Sequence, residues 1–102
     1  MTEAHFLSPL APLIDAMIED EGVELYVHYL DGVAYIKDDV GIQYPLFGAE
    51  WGATADELAE IVRRIVQDPS TGDNPYVHAG RHFRCRLLEN DIIELRIVGG
   101  ES

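Results

Sequence analysis

Residues 23–47 read VELYVHYLDGVAYIKDDVGIQYPLF, and their reading decides the fold. Apolar and polar positions alternate through three short runs, which is the period of two that a half-buried strand requires. Asp31-Gly32 is a two-residue hairpin signal, because a type I′ turn needs positive φ at both central residues. Pairing across it sets Leu30 opposite Val33, Tyr29 opposite Ala34, His28 opposite Tyr35 and Val27 opposite Ile36. One face then collects Val23, Leu25, Val27, Ala34 and Ile36. In the DDVG stretch that follows, Gly41 takes the left-handed position of a three-residue loop, which aligns Ile36 with Tyr44 and Ala34 with Leu46. The outcome is a three-strand meander with a continuous apolar face. Its other face exposes Tyr26, His28, Tyr35, Lys37, Gln43 and Phe47, an aromatic-rich patch of the kind that anchors protein interfaces.

Helices are expected on both sides of this meander. Upstream, Pro12 suits a first helical turn, Leu13, Ile14, Met17 and Ile18 recur on one side, and Gly22 stands where a left-handed C-terminal cap belongs. Pro9 separates this helix from an N-terminal arm over residues 1–10. Downstream, Thr54 and Glu57 form a capping box that opens a helix to Val66, with Leu58, Ile61, Val62, Ile65 and Val66 as its buried stripe. Arg63 and Arg64 complement its negative end. The connection FGAEWG, residues 47–52, carries Phe47 and Trp51; the tryptophan either plugs the end of the core or serves as an exposed anchor. Residues 68–80, DPSTGDNPYVHAG, read as a long loop.

The last element explains where the basic residues go. RHFRCR, residues 81–86, holds three of the seven lysines and arginines. With Glu89-Asn90-Asp91 as the turn, Leu87 pairs with Ile93, Cys85 with Leu95 and Phe83 with Ile97, so the inward positions are apolar. His82, Arg84, Arg86, Glu94 and Arg96 then face outward. Arg86 meets Glu94, and Arg84 meets Arg96, a like-charge pair that is unfavourable unless an anion or another carboxylate lies near.

The element order is α-β-β-β-α-β-β, an α+β single domain over residues 1–102 with an antiparallel sheet and helices packed on one face. In topology this order is similar to that of small acidic secretion chaperones of the type III class, without a counterpart of their final helix. That resemblance implies a dimeric adaptor holding an extended segment of a client protein.

Charge narrows the function. The formal net charge is −12, and residues 1–60 hold 13 acidic groups against Lys37 alone, while residues 61–102 hold six of each sign. An acidic N-terminal part repels nucleic acid and anionic membrane and favours a basic protein partner. No apolar run approaches the roughly 20 residues that span a bilayer. MTEAHFLSPL has no basic segment followed by an apolar one, so a soluble cytoplasmic protein is expected. Cys85 is the sole cysteine, which agrees with a reducing compartment.

The residue groups that could carry chemistry have simpler explanations. His78, His82 and Cys85 have the types of a metal site, but His82 and Cys85 differ by three positions on a strand and point to opposite faces. Asp38-Asp39 fits turn chemistry, and Glu19-Asp20-Glu21 a solvated charge cluster; neither has the ligand spacing of a calcium loop. No phosphate-cradling glycine loop or nucleophile elbow is present. The sequence therefore points to a non-enzymatic binding module without cofactor or metal. It is expected to be an inhibitor of the immunity, antitoxin or anti-defence type, with Glu19, Asp20, Glu21, Tyr26, His28, Tyr35, Lys37, Phe47 and Trp51 as partner-binding residues. The alternative is the secretion chaperone or adaptor, and a homodimer is expected in either case.

Overall fold

The structure is a computed structural model that describes residues 7–47, 51–68, 76–89 and 91–100. After a 3-10 turn at Ser8–Leu10 come α1 (Ala11–Glu19), β1 (Gly22–His28), β2 (Val33–Asp38), β3 (Gln43–Phe47), α2 (Ala55–Gln67), β4 (Tyr76–His78), β5 (Arg81–Leu88) and β6 (Ile92–Gly100). The six strands form one antiparallel sheet in the order β3-β2-β1-β6-β5-β4. The class and element order read from the sequence hold, with β4 as an additional strand. The first and last strands meet at the centre, where Leu25 pairs with Leu95 and Val27 with Ile93.

One face of this sheet is covered. Helix α1 packs against β1 and α2 against β5. Leu13, Ile14 and Met17 from α1 and Leu58 and Ile61 from α2 are buried with Leu25, Ile36, Phe83 and Leu95 in a single core. The first helix begins with Pro12 in its opening turn, and the 3-10 turn before it carries Pro9, so the proline reading of this boundary stands. The second helix has both halves of its capping box: Glu57 N–H donates to Thr54 Oγ1 at 3.1 Å and Thr54 N–H donates to Glu57 Oε1 at 2.9 Å. Val66 departs from the expected stripe and is 55% exposed, while Ile65 beside it in the same turn is buried.

Register separates the three hairpins expected from the sequence. In β5–β6, Leu87 pairs with Ile93, Cys85 with Leu95 and Phe83 with Ile97, as the alternation requires. Glu89 is left-handed (φ 57°), and Asn90 lies outside the described residues. In β2–β3, Ile36 pairs with Tyr44 and Ala34 with Leu46, and Gly41 is left-handed (φ 92°), again as read. The β1–β2 pairing is different: Val27 meets Ala34 and Leu25 meets Ile36, two positions from the expected register. A four-residue connection, Tyr29–Gly32, replaces the type I′ turn, with Asp31 N–H donating to His28 O at 3.0 Å. The reason is conformational. This loop puts only Gly32 (φ 72°) in the left-handed region, where glycine meets no steric cost, whereas the two-residue turn forces Asp31 there as well. A shift of two keeps every side chain on its face, so the apolar side survives the change.

The type I′ geometry occurs elsewhere. Ala79 (φ 52°) and Gly80 (φ 76°) are both left-handed and join β4 to β5, so Tyr76–His78 is a strand and not part of a loop over 68–80. Residues 69–75 of that segment, 1–6 of the N-terminal arm and 48–50 of the FGAEWG connection lie outside the described residues.

Gly22 also has a different role from the expected helix cap. The left-handed residue after α1 is Glu21 (φ 59°), while Gly22 is the first residue of β1. A Cβ at Gly22 would collide with Ile36 Cγ2 and lie 2.8 Å from Met17 Cγ. Glycine is needed there because strand, helix and neighbouring strand converge, and not because the backbone turns.

Candidate functional site

The sequence-read partner residues fall on two different sides of the molecule. Glu19, Asp20 and Glu21 are exposed at the α1–β1 corner. The pairing of Gly22 with Asp38 brings that corner to the same end of the sheet as the β2–β3 turn, which carries Asp38 and Asp39. Asp38 is occupied by the turn, as expected: its Oδ1 accepts from Val40 N–H at 3.1 Å and Ile42 N–H at 2.9 Å. Its Oδ2 accepts from the Tyr44 hydroxyl at 3.5 Å.

An apolar strip adjoins these carboxylates. Val40 (73% exposed), Ile42 (53%) and Tyr44 (41%) are large exposed hydrophobic residues at this end of β3, while Phe47 (60%), three positions beyond Tyr44, belongs to the opposite face. Their exposure has a structural cause. β3 is an edge strand, and the helices lie over β1 and β5, so the covered side of the sheet runs out before it reaches Tyr44. Val40, Ile42 and Tyr44 were not among the expected site residues; alternation assigned Tyr44 to the right face, but alternation carries no information about how far a helix extends over it.

The opposite face of the sheet is open and carries Tyr26, His28, Tyr35 and Lys37, all half-buried. The registers set its residues in three rows across the strands. Lys37, Glu24, Arg96 and Arg84 form the first row, and Tyr35, Tyr26, Glu94 and Arg86 the second. The third runs from Phe47 and Val33 through His28 to Ile92 and Leu88. The rows are respectively basic, aromatic with one ion pair, and largely apolar.

Hydrogen bonds tie the first two rows together. Arg86 Nε pairs with Glu94 Oε1, and Arg96 Nη2 donates to Glu24 Oε2 at 3.1 Å. Between the two carboxylates, the Tyr26 hydroxyl donates to Glu24 Oε2 at 2.6 Å. Burial and the neighbouring carboxylates Glu24 and Glu94 push the Tyr26 phenol up to about 12. Glu24 is held below its ordinary range by the Tyr26 hydrogen bond and then by Arg96, against an opposing effect of burial. The carboxylate beside the Arg84–Arg96 pair is Glu24 of β1, which engages Arg96 and not Arg84. Glu94 was expected to face outward and does, yet it is only 3% exposed, because its neighbours on the open face close over it. The rings of His28 and Tyr35 meet edge to face with centroids 5.5 Å apart.

Trp51 requires a correction. It is 4% exposed, belongs to the core, and its Nε1–H donates to Leu46 O at 3.1 Å, so it closes the β3 end of the core and presents no anchor. Cys85 is buried, and its thiol is pushed up to about 12 by burial and then by Glu94, which keeps it protonated. His78 faces α1 and pairs through Nε2 with Asp15 Oδ1 at 2.6 Å. Among the described residues, no group of three or more histidine, cysteine or carboxylate side chains is placed to hold a metal ion. No helix among them is long and apolar enough to cross a membrane.

No family model matches this sequence, and no curated protein or solved structure matches it either.

Proposed function

We propose that this chain is a non-enzymatic, cytoplasmic protein-binding module of the inhibitor type, which seats its acidic corner and the β3 strip on a basic surface of a partner protein. The observation that carries this reading is the apolar strip Val40–Ile42–Tyr44 at the same end of the sheet as Glu19, Asp20, Glu21 and Asp39. Contiguous exposed apolar side chains with a charged rim have the anatomy of a protein interface. The carboxylates steer encounter with a basic surface, and the apolar side chains hold the complex once formed.

The mode of docking follows from the edge. The hydrogen bond from Asp38 N–H to Ile42 O fixes the alternation of the β2–β3 ladder, and it puts position 45 among those whose amide faces the free edge. Pro45 has no amide hydrogen to offer there. A proline at such a position blocks addition of a foreign strand, so the partner meets side chains and not the β3 backbone. This distinguishes the reading from a chaperone or adaptor that pairs with an extended client along this edge.

The test begins with capture of the partner from the native host and purification of the pair. Association should slow as salt rises, because exposed charges are screened beyond about 8 Å near physiological ionic strength. Reversing Glu19, Asp20 and Glu21 to lysine should lower the association rate about tenfold, and Ile42→Ala should raise the dissociation rate. Association that ignores both salt and charge reversal sinks the proposal. A dimer holding an extended client would replace it with the chaperone reading.

A further inference from the structure

We propose that the open face of the sheet is a second docking surface, distinct from the acidic corner, and that its occupant is an acidic amphipathic helix of a partner protein. The charge of this face is opposite to that of the chain. Its strands present Lys37, Arg84, Arg86 and Arg96 against only Glu24 and Glu94, so the face is positive within a protein of net charge −12. Both carboxylates are already engaged, Glu94 by Arg86 and Glu24 by Arg96. Arg84 is exposed, stands opposite Arg96, and has no ion pair among the described residues. The basic row therefore lacks a counter-charge that the chain itself does not supply.

The order of the rows specifies the shape of the occupant. Basic, aromatic and apolar rows run side by side across the strands, so a ligand lying along them offers carboxylates to Arg84 and Lys37 and apolar side chains to Tyr35, Val33 and Phe47. The apolar row crosses five strands and the other two cross four, so at about 4.8 Å spacing the longest is roughly 19 Å. A helix rising 1.5 Å per residue covers that length with about 13 residues. An amphipathic helix presents these two kinds of side chain on adjoining sides.

Two other occupants fit less well. A second copy of this chain placed face to face sets one positive surface on another, and the apolar stripe of its α2 is already buried in its own core. A nucleic acid carries a charge on every nucleotide, which suits neither a face with a surplus of two cations nor the strongly acidic remainder of the molecule.

The experiment uses the whole protein and two fluorescein-labelled 18-residue helical peptides with the same leucine stripe, one flanked by glutamate and the other by lysine. A single-stranded oligonucleotide is the third probe. Anisotropy should show the glutamate peptide binding at least tenfold more tightly than the other two. Arg84→Glu should weaken that binding about tenfold, and Val33→Asp should weaken it as well, while Arg63→Glu on α2 leaves it unchanged. Arg84→Gln gives a milder arm should the reversal disturb folding, and circular dichroism checks each variant. Equal binding of the lysine peptide, tighter binding of the oligonucleotide, indifference to both Arg84 variants, or no binding at about 1 mM overturns the proposal. Reversal of Glu19, Asp20 and Glu21 should leave the glutamate peptide bound, so failure of this inference and failure of the corner reading are separate results.

Discussion

Along β5 and β6, consecutive residues belong to two different environments. On the covered side Phe83, Cys85 and Leu87 meet Ile97, Leu95 and Ile93, with α2 above them. One residue away, on the open side, Arg84 and Arg86 meet Arg96 and Glu94. The backbone and the alternation are the same on both sides, yet different physics holds them. On the covered side, stability comes from apolar area removed from water and from close packing. On the open side, it comes from a few charge-assisted hydrogen bonds whose remaining partners are in solvent. The comparison teaches that facing outward and being exposed are separate properties: Glu94 faces outward and is buried, while Tyr44 lies on the covered side and is exposed.

The largest test of this contrast is Leu95→Ala. Leu95 is fully buried between Leu25 and Cys85 at the centre of the sheet. Truncation removes its transfer energy and leaves a cavity where the two halves of the sheet join, so a loss of about 2–5 kcal/mol is expected in urea unfolding. A loss below about 1 kcal/mol would mean that the centre of the covered face is not packed as described.

A smaller effect is expected from Glu94→Gln. The substitution keeps the shape but removes the charge that Arg86 meets. Rupture of a fully buried ion pair costs about 3–5 kcal/mol, but the Arg86 side chain is 64% exposed and recovers hydration, so about 1–2 kcal/mol is expected by the same measurement. Should Glu94→Gln cost as much as Leu95→Ala, the open face is sealed like the core, and the distinction between the two faces fails.

The parts of this fold that were legible in the sequence are those fixed by short-range chemistry. Thr54 and Glu57 carry their own capping geometry, Gly41 has a loop that suits it, and the β5–β6 register follows from making every inward residue apolar. Where two local solutions gave the same face pattern, the sequence did not choose between them. Shifting β1–β2 by two residues leaves Leu25, Val27, Ala34 and Ile36 inward in either register, so only the cost of a left-handed Asp31 decides. β4 was hidden because three residues are too few to show a period, and Ala79 at positive φ is not a recognised turn residue. The exposed strip was hidden for a different reason, since Tyr44 has the sequence pattern of a core residue and only the placement of the helices leaves it uncovered. Trp51 is the converse: its glycine-flanked position allowed both a core plug and an anchor, and the fold decides for the plug, turned inward to bond Leu46 O.

The smallest expected effect is the one on which the second docking surface depends. Arg84 is exposed, lies opposite Arg96, and has no ion pair among the described residues. Arg84→Ala removes a repulsion while giving up only the packing of the aliphatic stem, and each of these amounts to a few tenths of a kcal/mol. Stability should therefore change by less than about 0.5 kcal/mol in urea unfolding, in either direction. That neutrality separates a residue kept for binding from one kept for folding. A loss above about 1 kcal/mol would show that Arg84 already has a carboxylate partner within the chain, and the basic row would then have no charge left to offer an acidic helix.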